Sequence, residues 1–102
     1  MAGGLAVDTI NGHNIAGGFL GTGQTWQDVK TSRSAGVTYT NSTGKPIEAA
    51  IVTYSAANTF SINGKVVGRN NGSNYAIFYG IIPDGGTYVL SAGTLDSWSE
   101  LR

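Results

Sequence analysis

Glycine interrupts the sequence at short intervals, and this spacing constrains the fold more than any other feature. The chain has 16 glycines in 102 residues. Each glycine costs about 1 kcal/mol in a helix interior relative to alanine, so the sequence favours short extended segments joined by turns. The length allows one small domain. A domain of this size buries only roughly 60–65% of its unfolded surface, so partner subunits would add stability to it.

From residue 25 onward, short apolar runs alternate with turn signals roughly every 8–12 residues. This spacing of strands and turns is typical of an all-β sandwich or a small barrel, and the short length of the chain favours the sandwich. We therefore expect a small antiparallel β-sandwich of about seven to eight short strands. The predicted strands cover residues 25–29, 37–41, 47–55, 59–62, 65–69, 74–82, 87–91 and 96–101.

Three segments carry the strongest local signals. Asn63-Gly64 separates two apolar runs, and this dipeptide accepts the positive φ angles of a two-residue type I′ hairpin. The sequence Pro-Asp-Gly-Gly at residues 83–86 predicts a second tight turn. The strand at residues 47–55 is apolar on both faces, which predicts a central position or cover on both sides.

Residues 1–23 differ in composition from the rest, because they contain seven of the 16 glycines. A short strand is predicted at residues 6–10, followed by a turn at Asn11-Gly12. This segment is too short and too rich in glycine to form a core by itself. We interpret residues 1–23 as a connector or stalk remnant and residues 24–102 as the folded domain.

Charge and cysteine content exclude several classes of function. The chain has six Lys+Arg, six Asp+Glu and no cysteine. A neutral chain with few basic residues lacks the electrostatic footprint for nucleic acid or anionic lipid. No apolar run approaches the about 20 residues that a membrane helix needs. We therefore expect no nucleic-acid partner and no membrane insertion, and a surface made polar by threonine, serine and asparagine.

Catalytic constellations are sparse, and we expect no enzyme activity and no cofactor. The sequence has no Gly-x-Ser-x-Gly elbow. Among the acids, Asp84 is explained as the turn residue before Gly85, and Glu100 as an outward-facing strand residue. An enzyme would need a solvent-open pair of carboxylates, which the sequence does not place.

His13 is the single histidine of the chain. If three copies of the chain met on a threefold axis, three imidazoles of His13 could hold a metal ion. An exposed loop histidine is the far commoner situation, so no metal is expected.

Aromatic and neutral polar side chains form the most informative pattern. Trp26, Phe60, Phe78 and Trp98 lie in apolar strand patterns and are expected in the core. A polar loop is expected at residues 69–74. Its amides, hydroxyls and neighbouring ring are groups that recognise polar ligands such as sugars, although an ordinary solvated loop has the same composition. The candidate ligand-binding residues are Arg69, Asn70, Asn71, Ser73, Asn74 and Tyr75.

Several blocks of the sequence resemble the C-terminal tip domains of bacteriophage tail fibre proteins. The first is Gly-Gln-Thr-Trp-Gln-Asp-Val at residues 23–29, followed by Ser32-Arg33 and by Tyr-Thr-Asn-Ser-Thr-Gly-Lys-Pro-Ile at residues 39–47. The second is Ile-Pro-Asp-Gly-Gly-Thr-Tyr at residues 82–88, with the ending Leu-Asp-Ser-Trp-Ser-Glu-Leu-Arg at residues 95–102. The resemblance covers residues 21–102.

The resemblance implies a homotrimer at the distal end of a fibre in the virion. Such a tip binds a polysaccharide or an outer-membrane protein on the surface of the host bacterium, without enzyme activity. The resemblance also implies that Gly44-Lys45-Pro46 is a turn and that Trp26 and Trp98 anchor the core or a subunit interface. Receptor contacts in such tips come from variable loops, so no ligand-binding residue is transferred. The chain lacks the repetitive shaft of a whole fibre, so we expect a fragment or a short separate protein.

Two other functions stay open at this stage. One is a structural or trimerisation module of the fibre without a ligand site. The other is a monomeric lectin-like carbohydrate-binding domain unrelated to phage. The mass of the protein in solution and its binding to whole bacteria distinguish these three functions.

Overall fold

The computed structural model describes residues 9–10, 13–14, 19–54, 57–72 and 74–102, and these residues are almost entirely extended. A short 3₁₀ helix lies at Lys30–Ser32. The strands are β1 (Thr9–Ile10), β2 (His13–Asn14), β3 (Trp26–Asp28), β4 (Thr38–Thr40), β5 (Ile47–Tyr54), β6 (Ala57–Ile62), β7 (Lys65–Asn71), β8 (Ala76–Ile82), β9 (Thr87–Leu90) and β10 (Thr94–Leu101).

The strands β3 to β10 form two antiparallel sheets of four strands each. Sheet I has the order β3-β10-β5-β8, and sheet II has the order β4-β9-β6-β7. The expected all-β sandwich is therefore confirmed. β1 and β2 pair separately, with Ile10 opposite His13. The predicted turn at Asn11-Gly12 lies outside the described residues.

The core lies between the two sheets, because alternate residues of each strand point to the opposite sheet. Phe60 of sheet II and Phe78 of sheet I meet across the gap, with ring centroids 6.2 Å apart. Trp98 is fully buried, so the predicted core positions of Phe60, Phe78 and Trp98 are confirmed. The other buried apolar residues are Ile47, Ala49, Ile51, Ile62, Ile82, Tyr88 and Leu90.

The strand β5 is central in sheet I, as its apolar pattern predicts. It pairs with β10 through Ala49 and Glu100 and with β8 through Ile51 and Phe78. Its inward residues are buried, whereas its outward residues are only half-buried. The outward apolar residues of β5 therefore belong to an exposed face of the sandwich.

Both predicted tight turns are present. Asn63 and Gly64 have φ angles of 51° and 79°, as the type I′ hairpin between β6 and β7 requires. The second turn closes through a hydrogen bond of 2.8 Å from the Gly86 amide to the Pro83 carbonyl. Asp84 is a corner residue of this turn, so its predicted role is confirmed.

Asn41 joins the loop before β5 to the turn after β8. Its buried side-chain amide donates to the carbonyls of Lys45, at 2.7 Å, and of Pro83, at 3.1 Å. Its Oδ1 accepts hydrogen bonds from the Thr43 amide and hydroxyl, and its own carbonyl accepts one from the Gly85 amide. One asparagine side chain and its backbone therefore satisfy polar groups of two neighbouring segments, the loop before β5 and the turn after β8.

Trp26 is a correction to the predicted core. It lies in the three-residue edge strand β3, opposite Leu101 of β10, and it is 52% exposed. The register places it on the outer face of sheet I, because Leu101 is one residue away from the inward-facing Glu100. The apolar pattern around Trp26 identified a strand correctly but did not indicate which face it would present.

Residues 22–24 are tied to the sandwich. The Lys45 ammonium donates to the Thr22 carbonyl at 2.9 Å, and the Gln24 side-chain amide donates to the Pro46 carbonyl at 2.8 Å. These contacts agree with a folded domain that begins near residue 24. The boundary between a connector and a tip domain stays a prediction.

Two glycines allow the sheets to approach closely where β7 faces β8. A Cβ atom on Gly68 would overlap the ring of Phe78, lying 2.9 Å from its Cε1. A Cβ atom on Gly80 would lie 3.1 Å from Cε2 of Phe60 and overlap the side chain of Ile62. Because glycine has only a hydrogen atom in place of a side chain, the two sheets can pack closely around Phe60 and Phe78 at this end.

The change Gly68→Ala tests this close approach. We expect the free energy of unfolding to fall by about 1–3 kcal/mol, because the added methyl group overpacks a rigid aromatic contact. Urea denaturation measures the effect. The matched comparison is the same change in a Phe78→Leu background, where the missing ring makes room and the cost of Gly68→Ala should be much smaller. Equal costs in both backgrounds would show that the ring is not the obstacle.

Candidate functional site

A buried carboxylate organises one end of the sandwich. Glu100 of β10 is completely buried. Its Oε1 accepts hydrogen bonds from Arg33 at 3.0 Å and from Arg102 at 2.6 Å. Its Oε2 accepts from Arg33 Nε at 3.0 Å, from the Tyr88 hydroxyl at 2.9 Å and from Trp98 Nε1 at 3.0 Å. We call these five residues the Glu100 cluster.

Electrostatics keep this carboxylate charged. Burial alone would raise the pKa of Glu100, but the hydrogen bonds from Arg33 and Tyr88 and the charge of Arg33 outweigh it, so the pKa lies below the usual 4.5. Burial and the hydrogen bond to Glu100 raise the pKa of Tyr88 to about 12. Tyr88 therefore stays protonated and acts as a donor. Charge-assisted hydrogen bonds of this kind are about twice as strong as neutral ones.

Aromatic rings hold Arg33 in position. The guanidinium carbon of Arg33 lies 4.7 Å from the ring centroid of Tyr39, a cation–π geometry. The Tyr39 ring meets Trp98 edge-on at 5.9 Å and Tyr88 at 5.8 Å. The arginine is thus fixed by its stacking as well as by its ion pair, and both carboxylate oxygens of Glu100 are already occupied. The Glu100 cluster is a scaffold.

The prediction that Glu100 faces outward is therefore wrong. Trp98 and Glu100 are two residues apart in one strand, and side chains at this spacing share a face. Once Trp98 is assigned to the core, Glu100 must be inside as well. The spacing from Trp98 therefore indicated a buried position. The prediction followed the residue type instead, because glutamate is rarely buried.

The predicted ligand-binding residues divide between two places. Arg69, Asn70 and Asn71 belong to β7, so the expectation of a loop that begins at residue 69 is wrong. The strand extends because residues 57–59 of β6 continue the pairing to Asn71. The predicted Ser73 lies outside the described residues.

Tyr75 faces another part of the surface. Its ring lies 5.4 Å from that of Tyr54 on β5, and it is 66% exposed. Tyr75 therefore belongs to the outer side of sheet I, whereas Arg69, Asn70 and Asn71 belong to sheet II. The structure brings Asn70 and Asn74 together, because the Asn70 side-chain amide donates a hydrogen bond of 3.5 Å to the Asn74 carbonyl, but it places Tyr75 on the other sheet.

Arg69, Asn70 and Asn71 do line a shallow depression of ≈ 330 Å³. It forms where β9 ends, because β9 pairs with β6 only as far as Leu90 and Phe60. Beyond this point the Ser91 hydroxyl accepts a hydrogen bond of 2.8 Å from the Thr59 amide. The residues that line the depression are Ala57, Asn58, Thr59, Arg69, Asn70, Asn71 and Ser91.

Asn58 is the buried member of this lining, at 4% exposed. Its side-chain amide donates to Thr53 Oγ1 at 3.2 Å and to the Ala92 carbonyl at 2.9 Å. Its Oδ1 accepts no hydrogen bond from the described part of the protein. Sequence reasoning missed Asn58, Thr59 and Ser91, because only the tertiary fold brings them beside β7.

The outer side of sheet I is the second candidate surface. On β8 the residues Ile77, Tyr79 and Ile81 are 59%, 64% and 55% exposed. They stand next to the half-buried outward residues of β5. We call the following set the apolar face: Trp26, Ala50, Val52, Tyr54, Tyr75, Ile77, Tyr79, Ile81 and Leu101.

The outer side of sheet II is more polar, although Val66 of β7 is 50% exposed there. The residues of β6 and β9 that alternate with the core are Thr59, Ser61, Thr87 and Val89, and Thr38 and Thr40 of β4 are exposed beside them. The two outer sides of the sandwich therefore differ in chemistry. Sequence patterns alone do not show this difference, because β8 is apolar at every position and its edge location is decided by the topology.

The described ranges contain no candidate metal centre and no candidate membrane-spanning helix. Within them, no three His, Cys, Asp or Glu side chains lie close enough together to hold a metal ion. The backbone of His13 is part of β2, but its side chain lies outside the described part, so the threefold site at His13 stays the less favoured alternative. No helix in the described ranges has the length and hydrophobicity to cross a bilayer.

No family model, curated protein or solved structure matches this chain. The assignment of function therefore rests on the residues and on the two surfaces described above.

The change Glu100→Gln tests the Glu100 cluster. We expect a loss of about 3 kcal/mol in the free energy of unfolding at neutral pH, because it leaves two arginines without their buried counter-charge. Urea denaturation measures it, with Asp96→Asn as the control on the same strand. Asp96 is exposed at the bulge of β10, so its change should be close to neutral.

The pH dependence gives a second readout of the same variant. Because the folded state holds the pKa of Glu100 below 4.5, its contribution is complete above that value and is lost as the pH falls through the folded-state pKa. The wild-type protein should therefore lose more stability between pH 6 and pH 3 than Glu100→Gln. Parallel acid profiles for the two proteins would show that the carboxylate does not carry this dependence.

Proposed function

We propose that the chain is the non-catalytic receptor-binding tip of a bacteriophage tail fibre. In this proposal it forms a homotrimer within the virion and binds a polysaccharide or an outer-membrane protein on the host bacterium. The observation that carries the proposal is the apolar face of sheet I, because exposed apolar patches of this size are often interaction surfaces. The resemblance of residues 21–102 to fibre tips supplies the biological setting.

The size of the apolar face supports assembly. Its three most exposed aromatic residues are Trp26, Tyr75 and Tyr79, at 52%, 66% and 64% exposed. Aromatic side chains bury about 150–250 Å² each, so these three alone expose roughly 300–450 Å². With Ile77 and Ile81 the exposed apolar area reaches the upper part of the range for the largest patch of a monomer, about 300–600 Å², and stays below the roughly 800 Å² per partner of a standard interface.

The layout of the apolar face supports a closed ring of copies. Trp26 and Leu101 lie at the β3 edge of sheet I, and the exposed row of β8 lies at the other edge. Glu48 of β5 lies between Leu101 and Ile81 in the register, and the outward serines of β10 lie beside it, so polar side chains separate these two regions. Two different apolar regions favour a contact between unlike surfaces, and such a contact closes into a ring when the rotation allows it. A ring also covers the exposed edge of β8.

The blocks that carry the resemblance serve the fold, which is consistent with a scaffold role. Arg33, Tyr39, Trp98, Glu100 and Arg102 meet in the Glu100 cluster and its aromatic neighbours. The block at residues 39–47 contacts the block at residues 82–88 through the side chain of Asn41. Receptor binding is then left to surfaces outside the blocks, such as the end of the sandwich at β6 and β7.

A structural module of the fibre is the second candidate, because the apolar face supports assembly without requiring a ligand. A monomeric lectin-like domain is less consistent with that face. The polar depression beside Arg69 favours a module that also binds a ligand.

The change Tyr79→Glu tests the assembly surface. We expect the wild-type protein to sediment at three times the 10.5 kDa of the chain, and the variant to sediment as a monomer, because a carboxylate in an apolar contact is strongly unfavourable. The matched control is Val66→Glu, since Val66 is 50% exposed on the outer side of sheet II. A monomeric wild type, or a trimer lost only in Val66→Glu, would contradict the proposed interface.

Binding to intact bacteria tests the receptor function. Fluorescently labelled trimer is incubated with a panel of bacteria, before and after surface polysaccharide has been stripped. We expect adhesion to one or a few strains, and a weaker signal with the Tyr79→Glu monomer because avidity is lost. A folded trimer that adheres to no strain would instead support the structural module.

A further inference from the structure

The depression beside β7 carries a positive charge without a counter-charge. Of the three arginines in the chain, Arg33 and Arg102 are both bound to Glu100. Arg69 is exposed on β7 and forms no ion pair with any described residue. Among the described residues that line the depression there is no carboxylate. An anionic ligand group would therefore meet a guanidinium that no described protein group neutralises.

We propose that this depression binds an acidic saccharide, with Arg69 holding a sugar carboxylate. The guanidinium presents two parallel N–H donors that match the two oxygens of a carboxylate, a bidentate pairing that is strong and directional. This inference rests on the proposed receptor-binding function and specifies the class of receptor: a surface glycan that contains uronic acid or another carboxylated sugar.

The remaining groups suit the hydroxyls of a sugar ring. The Ser91 hydroxyl accepts the Thr59 amide hydrogen at 2.8 Å, so its own hydrogen can be donated to a ligand. Asn71 is exposed at the end of β7 and offers both a donor and an acceptor. Asn70 fixes the rim, because its Oδ1 accepts a hydrogen bond of 3.1 Å from the Gly72 amide. The hydroxyl groups of a sugar both donate and accept hydrogen bonds, so they require donors and acceptors side by side in the lining.

The depression is better suited to a saccharide than to a protein. Protein interfaces are centred on buried aromatic and aliphatic anchors, whereas Ala57 supplies the one apolar side chain in the described lining. The volume of ≈ 330 Å³ lies at the small end of the range for small-molecule sites. The nearby rings of Tyr54 and Tyr75 belong to the apolar face, and the described lining of the depression contains no aromatic side chain. Recognition in the depression therefore depends on charge and hydrogen bonds.

The position of the site follows from the topology. The ladder between β9 and β6 ends at Leu90, so residues 57–59 have a full strand, β7, on one side and the loop residues Ser91 and Ala92 on the other. This places a rim of polar backbone and side-chain groups beside Arg69. In a fibre tip assembled through sheet I, sheet II faces away from the partners. The depression therefore stays accessible in the trimer.

The test uses the intact trimer on an array of bacterial surface polysaccharides. Each uronic-acid glycan is printed beside its carboxyl-reduced form, which has the same stereochemistry without the charge, and phosphorylated glycans form a third arm. We expect retention of carboxylated glycans, loss of retention after reduction, and weakening by added salt. Arg69→Gln should weaken binding by about tenfold or more. Lys65→Gln removes an exposed charge at the other end of β7 and should leave binding unchanged.

The outcomes separate this inference from the proposed function. Retention of neutral or only phosphorylated glycans, no retention of any glycan, or equal binding by wild type and Arg69→Gln would overturn the acidic-saccharide assignment. Adhesion of the trimer to whole bacteria would still support the receptor-binding function in each of those cases. Circular dichroism and sedimentation of Arg69→Gln establish that a loss of binding does not come from unfolding or dissociation.

Discussion

The buried ion pairs of Glu100 are the interaction on which the rest of the structure depends. One carboxylate connects β10 to the segment after β3, through Arg33, and to sheet II, through Tyr88. It also binds Arg102 at the last position of the chain. The desolvation of this charge is offset only because five donors converge on it. The end of β10 is thereby fixed relative to the opposite sheet. The strands β3 and β5, which both pair with β10, are fixed with it.

The two outer sides of the sandwich differ in chemistry. Sheet I presents an apolar face on β5 and β8, whereas sheet II presents threonine, serine and the depression around Arg69. The core of the described residues contains ten buried apolar side chains, and covering the apolar face would remove further apolar area from water. Assembly through sheet I and ligand binding through sheet II is the arrangement that we propose for these surfaces.

Local sequence signals predicted the turns and the central strand because their causes are local. Asn63 and Gly64 accept positive φ angles by themselves, and apolar residues on both faces of β5 favour a central strand. The predictions for Trp26, Glu100 and the start of the polar loop at Arg69 were wrong for another reason. Each depended on register or strand order, so a residue's burial was decided by a partner distant in sequence. The depression likewise needs Ser91 beside Thr59, which no spacing indicates.

The sequence by itself determined the all-β class, the positions of most strands and the two tight turns, because glycine content, alternation and turn chemistry act over a few residues. Only the tertiary structure decided which face of each strand is buried, that Glu100 lies inside, and that β8 is an edge strand with an exposed apolar row. The physical reason is that burial is a property of two packed sheets. Strand pairing sets which sheets pack, and pairing depends on contacts between residues far apart in the chain.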